Sequence, residues 1–432
     1  MLLLALGGAA SARSQSPPAA PKTKRNTESS LGAKKAESSN SELESKPITW
    51  QGRHAYAIRN DLIQLVALSG GGHIAEFRFH GHSGLSGVSP LWRPVWDGIE
   101  PYLYREDLHA SRYSSPPTGQ LLAGIAGHSL CLDYFGSPSD EETNQGLPIH
   151  GEAGILLWRN LRAEANREEA VLQMSATLPV AELAFTREIK VRRGESVVYF
   201  NEEVVNNSKA DHLFHWTQHV SLGPPFLRRD DSRIFLSATR GRTFPHGYEG
   251  KELLASGADF DWPHAPALDG NPVDLRRPLS HPGRGFVATV LMDPGRDQQY
   301  VSALNVPDRL LVGYCFNRKN FPWTAIWEEN KARAEAPWNG QSETRGLEFG
   351  STPLPVGRRE AFAAGPLFGT PCFSIVPALG RTTVRYTAFL AQVPAGIDEI
   401  SDIRLADREV RISYSGGTVR LPAAGLQDIG TS

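Results

Sequence analysis

The sequence predicts an all-β fold, a large antiparallel β-sandwich, on three observations. Apolar and polar residues alternate through many short runs, such as Leu183 to Arg192 and Ser196 to Val205, and a period of two is that of a half-buried strand. Turn-forming residues punctuate these runs. The chain holds 41 glycines and 31 prolines, and clusters such as Arg193-Gly194-Glu195 join successive strands into a meander. No segment sustains a helical period, and no short repeat recurs.

Composition narrows the function. The 432 residues carry a net charge of −2, with no basic block beyond the first 50 residues, so nucleic acid is not an indicated partner. Cys131, Cys315 and Cys372 are odd in number and far apart. They form no disulfide framework and no CxxC metal spacing, and are read as buried thiols.

In chain order, residues 1–12 (MLLLALGGAASA) pair an apolar run with a small-residue A-x-A ending. This resembles the end of a secretory signal, and the run is too short for a membrane span. The expectation is a periplasmic or secreted protein, with the cytoplasm as the alternative. Residues 13–47 are Ser, Lys, Glu, Pro and Ala with few large apolar side chains. Such a segment buries too little surface to offset its ordering entropy and reads as a disordered linker.

Order is expected from Ile48 onward, in a domain spanning 48–393, with edge strands and a tail over 394–432. Tyr56 to Asn60, Leu62 to Leu68 and His73 to Phe79 alternate as strands. In the last, Glu76, Arg78, His80 and His82 share one face, either a sugar- or anion-contacting surface or a solvated strand face. Pro90 to His109 is an aperiodic stretch whose Trp92, Trp96 and Tyr104 either stack on a sugar ring or pin the loop to the body. GLPIHGEAGILLW, residues 146–158, reads as a turn and strand, with His150 placed between proline and glycine.

Val204 to Phe226 is the stretch around which the rest is arranged. It turns at Asn206-Asn207-Ser208, returns as a strand and stops at Gly223-Pro224-Pro225. Alternation puts His215, Thr217 and His219 on one face, with Trp216, Gln218 and Val220 on the other. A zinc site from His212, His215 and His219 is disfavoured, because His212 faces away from the other two. A Ser-His-Asp hydrolase lacks its G-x-S-x-G elbow. What remains is a carboxylate with one or two histidines, beside aromatics such as Trp323 and Trp327 that suit sugar faces.

Three segments resemble, in order and spacing, the galactose mutarotase-like (aldose 1-epimerase) superfamily: His150-Gly151 with Gly154 and Trp158, the Asn207 turn with His219, and Gly346-Leu347-Glu348. The resemblance covers roughly residues 50–393. It implies a β-supersandwich with a site on its concave face, no cofactor or metal, and a sugar or sugar derivative as the small-molecule partner. It further implies Glu348 as base, His219 as acid, and His150 as the residue that orients the sugar and stabilises charge on the ring oxygen. Arg78, Asn207, His215, Trp323, Trp327 and Glu328 are the expected substrate contacts. Glu152 stands where the family usually has a second glycine. Arg78 and Arg105 compete for the family arginine, Asp259, Asp261 and Asp274 for its aspartate, and Glu328 and Glu329 rival Glu348 as base. Salt bridges from Glu348 to Arg345 or Arg358 would instead make it structural.

The expected activity is interconversion of the anomers of a free sugar by acid/base ring opening. A non-catalytic carbohydrate-binding protein on the same fold is one alternative. An oligosaccharide lyase or hydrolase, with Glu328 facing Glu348 across the bond, is another.

Overall fold

Two antiparallel sheets make the body of the molecule in a computed structural model, which describes residues 43–80 and 87–429. The expectations for the signal-like segment, for the linker before Leu43 and for His82 lie outside the described residues. The first strand, Glu44–Trp50, pairs along its whole length with Arg53–Arg59. Residues 44–47 are therefore sheet and not linker, because their backbone groups are taken up by a neighbouring strand.

The larger sheet has eleven strands. It runs from Glu44–Trp50 through Arg53–Arg59, Ile63–Leu68, Ile74–Phe79 and His128–Cys131 to Thr217–Leu222 and Glu343–Gly350 at its centre. It continues through Trp323–Asn330, Arg284–Met292 and Ala238–Thr243 to Asp259–Asp261. The second sheet has eight strands, ordered Ser232–Leu236, Gln298–Asn305, Leu310–Asn317, Arg381–Gln392, Val197–Asn206, Leu183–Arg192, Glu169–Leu178 and Arg159–Ala165. Leu183–Arg192 alternates strictly between buried and half-exposed residues, as the sequence period requires.

The central strands of the larger sheet are buried on both faces. Val220, Leu222, Leu347, Phe349 and Ile326 enter the core between the sheets. The intervening residues, His219, Ser221, Glu348 and Trp327, occupy the opposite face, which loops cover. The site thus stands on the best-anchored strands of the fold.

The last three strands, Asp402–Ala406, Glu409–Tyr414 and Gly417–Pro422, are not edge strands. They form their own sheet, whose Ile403, Val410 and Ile412 pack with Tyr199, Leu304, Leu311 and Phe389 of the eight-stranded sheet. That sheet has apolar residues on both faces, and the C-terminal layer covers the second. All three cysteines are buried and free. Among the described residues, no helix is long and apolar enough to cross a membrane.

Candidate active site

His219 and Glu348 are register partners on adjacent antiparallel strands. Their side chains emerge side by side on the covered face, with His219 Nε2 3.2 Å from Glu348 Oε1. The contact lacks hydrogen-bond alignment, and Oε1 has no hydrogen-bond partner. Gly346, two residues before Glu348, makes the space: a Cβ there would lie 2.2 Å from Oε1. Ser221 Oγ sits 3.2 Å from His219 Nδ1, which leaves Nε2 as the nitrogen toward the carboxyl group.

His150 comes from the loop that threads beneath. The expected strand in residues 146–158 is absent. The segment is a turn followed by the short 3-10 helix Glu152–Gly154, with His150 and Gly151 both at positive φ, 66° and 78°. Few non-glycine residues occupy that region, and histidine is among those that enter it more readily. Glu152 accepts hydrogen bonds from the amides of Val180 and Ala181, so it staples a neighbouring turn. The His150 ring meets that of His219 edge-on at 5.3 Å. Its Nδ1–H donates to the Phe135 carbonyl at 2.5 Å, leaving Nε2 as an acceptor.

These groups sit at the floor of a cavity of about 480 Å³ lined by His150, His219, Glu348, Trp327, Trp338, Tyr248 and Arg333, among others. That volume lies within the range of small-molecule sites, roughly 300–1,000 Å³. Trp327 Nε1 donates to Tyr248 Oη at 2.8 Å, and Tyr248 donates to Glu329 at 2.8 Å. Glu329 also accepts from the amides of Ala332 and Arg333. Arg333 lies over the rings of Tyr248 and Trp338, its Nε 3.5 Å from Glu249.

Burial sets the protonation. It pushes the Glu348 carboxyl well above the usual carboxylate range. It pushes His219 well below the usual imidazole value, with His150 beside it adding to the effect, and His150 down to about 4. Both shifts favour the uncharged forms, so burial biases the coupled His219–Glu348 pair toward carrying its proton on the carboxyl group. This bias runs against the expected starting roles of carboxylate base and histidinium acid. His150, uncharged near neutral pH, presents Nε2 as a hydrogen-bond acceptor.

The remaining expected contacts divide. Trp327 lines the cavity, whereas Trp323, on the same strand face, is buried away from it and donates to the Pro371 carbonyl. Glu328 points into the core, paired with Arg345 and accepting from the Leu279 amide. That removes it as a second acid opposite Glu348 and removes Arg345 as a partner of Glu348. Arg358 pairs with Asp133 and Glu142. Arg78 pairs with its strand neighbour Glu76, and Arg105 with Asp107 on the surface. Neither lines the cavity, nor do Asp259, Asp261 or Asp274.

Asn207 is exposed, and it is Asn206 whose side chain holds the turn. His215 falls in a break between His212–Phe214 and Thr217–Leu222, and its Nδ1 accepts from the Phe135 amide at 3.2 Å. His212 is held by Asp133 at 2.7 Å. Trp92 is buried behind the cavity, stacked on Trp338 with centroids 5.9 Å apart, and Tyr104 donates to the Ser114 carbonyl. Both pin the loop down. Sequence reasoning missed Tyr248, Arg333 and Trp338. The one signal for the last two was the loss of strand period after Asn330 in a tryptophan-rich stretch.

No protein-family model matches the sequence, and no curated protein matches it. Among solved structures, the chain is similar to a Klebsiella pneumoniae protein assigned as an aldose 1-epimerase, with 15% identity, a TM-score of 0.56 and coverage of 81% of this chain and 83% of that one. It is also similar to a galactose mutarotase-like protein from Clostridium acetobutylicum, with 13% identity, a TM-score of 0.54 and coverage of 82% and 99%. A Salmonella typhimurium protein assigned as a mutarotase matches at 10% identity and a TM-score of 0.50, over 81% and 94%. The chain has the galactose mutarotase-like fold.

Proposed function

We propose that this protein interconverts the anomers of a free sugar by opening and reclosing its ring. The observation that carries the reading is the His219–Glu348 pair, in contact at 3.2 Å and lining a cavity of sugar-accommodating size. The hydroxyl and the ring oxygen of a hemiacetal share the anomeric carbon. A base for one and an acid for the other must therefore stand side by side, as these two do.

Ring opening removes the anomeric hydroxyl proton as the C1=O bond forms and the C1–O5 bond breaks, while the acid protonates O5. Reclosure on the other face of the carbonyl reverses both transfers, so the pair ends with the single proton it began with and consumes nothing. Burial favours the arrangement in which Glu348 is the acid and His219 the base. Sugar hydroxyls that solvate the ionised form favour the opposite assignment without changing the proton count. His150 accepts a hydroxyl through Nε2, and Trp327 with Trp338 supplies a wall for the C–H face of the ring.

The test is NMR exchange between α and β anomers across a panel of free aldoses. Wild-type protein is expected to accelerate exchange for at least one sugar, and Glu348→Gln to lose roughly 10²–10⁴-fold of that rate. Binding without acceleration would replace this reading with a non-catalytic sugar-binding protein.

A further inference from the structure

A second cavity, of about 280 Å³, adjoins the first. The two interleave along the chain. Phe244 and His246 line the first while Arg242 and Pro245 line the second, and Pro355 of the first lies between Leu354 and Val356 of the second. Across this wall His246 Nε2 meets both oxygens of Glu360, at 2.8 and 3.0 Å. The two side chains are 56% and 45% exposed. An ion pair that exposed contributes little and yields to a ligand.

The second cavity has the chemistry of an uncharged, hydroxylated ligand. Its wall is mostly apolar, with Pro245, Leu354, Val356 and Leu367. Each charged side chain in its lining already has an opposite partner: Arg242 is held by Asp259 and Glu360 by His246. Thr352, also in the lining, is fully buried, and its hydroxyl has no hydrogen-bond partner. An orphaned hydroxyl of this kind costs free energy until a ligand satisfies it. The first cavity alone reaches the size of sites for drug-sized ligands, which are larger than one sugar ring.

We propose that the second cavity is a subsite for the non-reducing unit of a reducing disaccharide whose reducing ring lies against His219 and Glu348. The proposal rests on the anomer-exchange reading for the placement of the reducing end. The second ring lays its C–H face on the proline and leucine wall, satisfies Thr352 and parts His246 from Glu360.

Calorimetric titration of the wild-type protein with glucose and galactose, and with maltose, cellobiose and lactose, tests it. One disaccharide is expected to bind at least tenfold more tightly than its constituent monosaccharides. Ala364→Trp, which fills the subsite from an exposed position, is expected to erase that difference. In the wild-type protein, amide exchange of residues 358–364 should slow with that disaccharide and not with the monosaccharides. Equal affinity for monosaccharide and disaccharide would overturn the subsite and leave the anomer-exchange reading standing. Binding of none of the five would overturn the subsite, and the NMR assay over the wider aldose panel would decide the anomer-exchange reading separately.

Discussion

Glu348 is a buried carboxyl group with no cation to offset its charge, and this makes it a stability liability as well as a reactive group. In the unfolded chain it titrates near the ordinary 4.5, whereas burial raises it well above that in the fold. The native state keeps a proton that the unfolded state has lost, so stability falls as pH rises from about 4.5 toward the folded value. Glu348→Gln keeps the shape and removes the titration. Thermal unfolding should show the variant melting above wild type at pH 7, with the gap closing as pH is lowered to about 4. Equal melting at both pH values would mean that the carboxyl is solvated. His219 acts at the other end of the scale: its depressed pKa costs stability as pH falls below the ordinary 6.5. That His219 and Glu348 share one face of adjacent strands was legible from alternation and motif order together, whereas His150, on a turn, was singled out by motif order alone. Alternation also separates Trp327 from Glu328, since neighbours on a strand face opposite ways; assigning both to one site overlooked that. Arg333 and Tyr248 follow no period, because their place is set by loops that close over the sheet.

At the scale of elements, the site depends on one short loop fixed from two sides. Phe135 donates its amide to His215 Nδ1 and receives His150 Nδ1–H on its carbonyl, and its ring stacks on that of His150 at 5.7 Å. His215 can do this because it has left the strand. His212–Phe214 pairs with Ser374–Val376, and the chain then crosses to the large sheet at Thr217. The sequence showed an unbroken alternating run here, and its change of partner depends on residues far along the chain. His215 is thus a positioning residue for His150. His215→Ala strands a buried amide and is expected to raise KM for the sugar by about tenfold, with a smaller effect on kcat. His215→Asn, which restores an acceptor, should recover most of the loss. Equal loss in both variants would show that His215 only fills space.

Across the whole molecule, the two sheets are joined by a polar knot within an apolar core. Arg187 and Glu202 are both fully buried, with Nε 2.6 Å from the carboxylate. Gln218 and Tyr386 donate to the same carboxylate at 2.6 and 2.8 Å, and Trp216 donates at 3.2 Å. Arg187 also donates to the Gly72 carbonyl. Gln218 precedes His219, so the knot locks the back of the active strand to the opposite sheet. The sequence shows Arg187 and Glu202 only as polar residues on strands, since nothing local tells a strand whether its polar face meets solvent or another sheet. A buried pair is expensive to break and cheap to replace as a unit. Arg187→Met alone leaves Glu202 charged and unpaired and should cost about 3–5 kcal/mol in denaturant unfolding. Adding Glu202→Leu removes the orphaned charge and should recover most of that stability. Anomer exchange should still be slower in the double variant, because Gln218 has lost the carboxylate that orients it. If the double variant were no more stable than the single one, packing of the Arg187 stem would be the larger contribution, and the knot would owe its place to shape and not to charge.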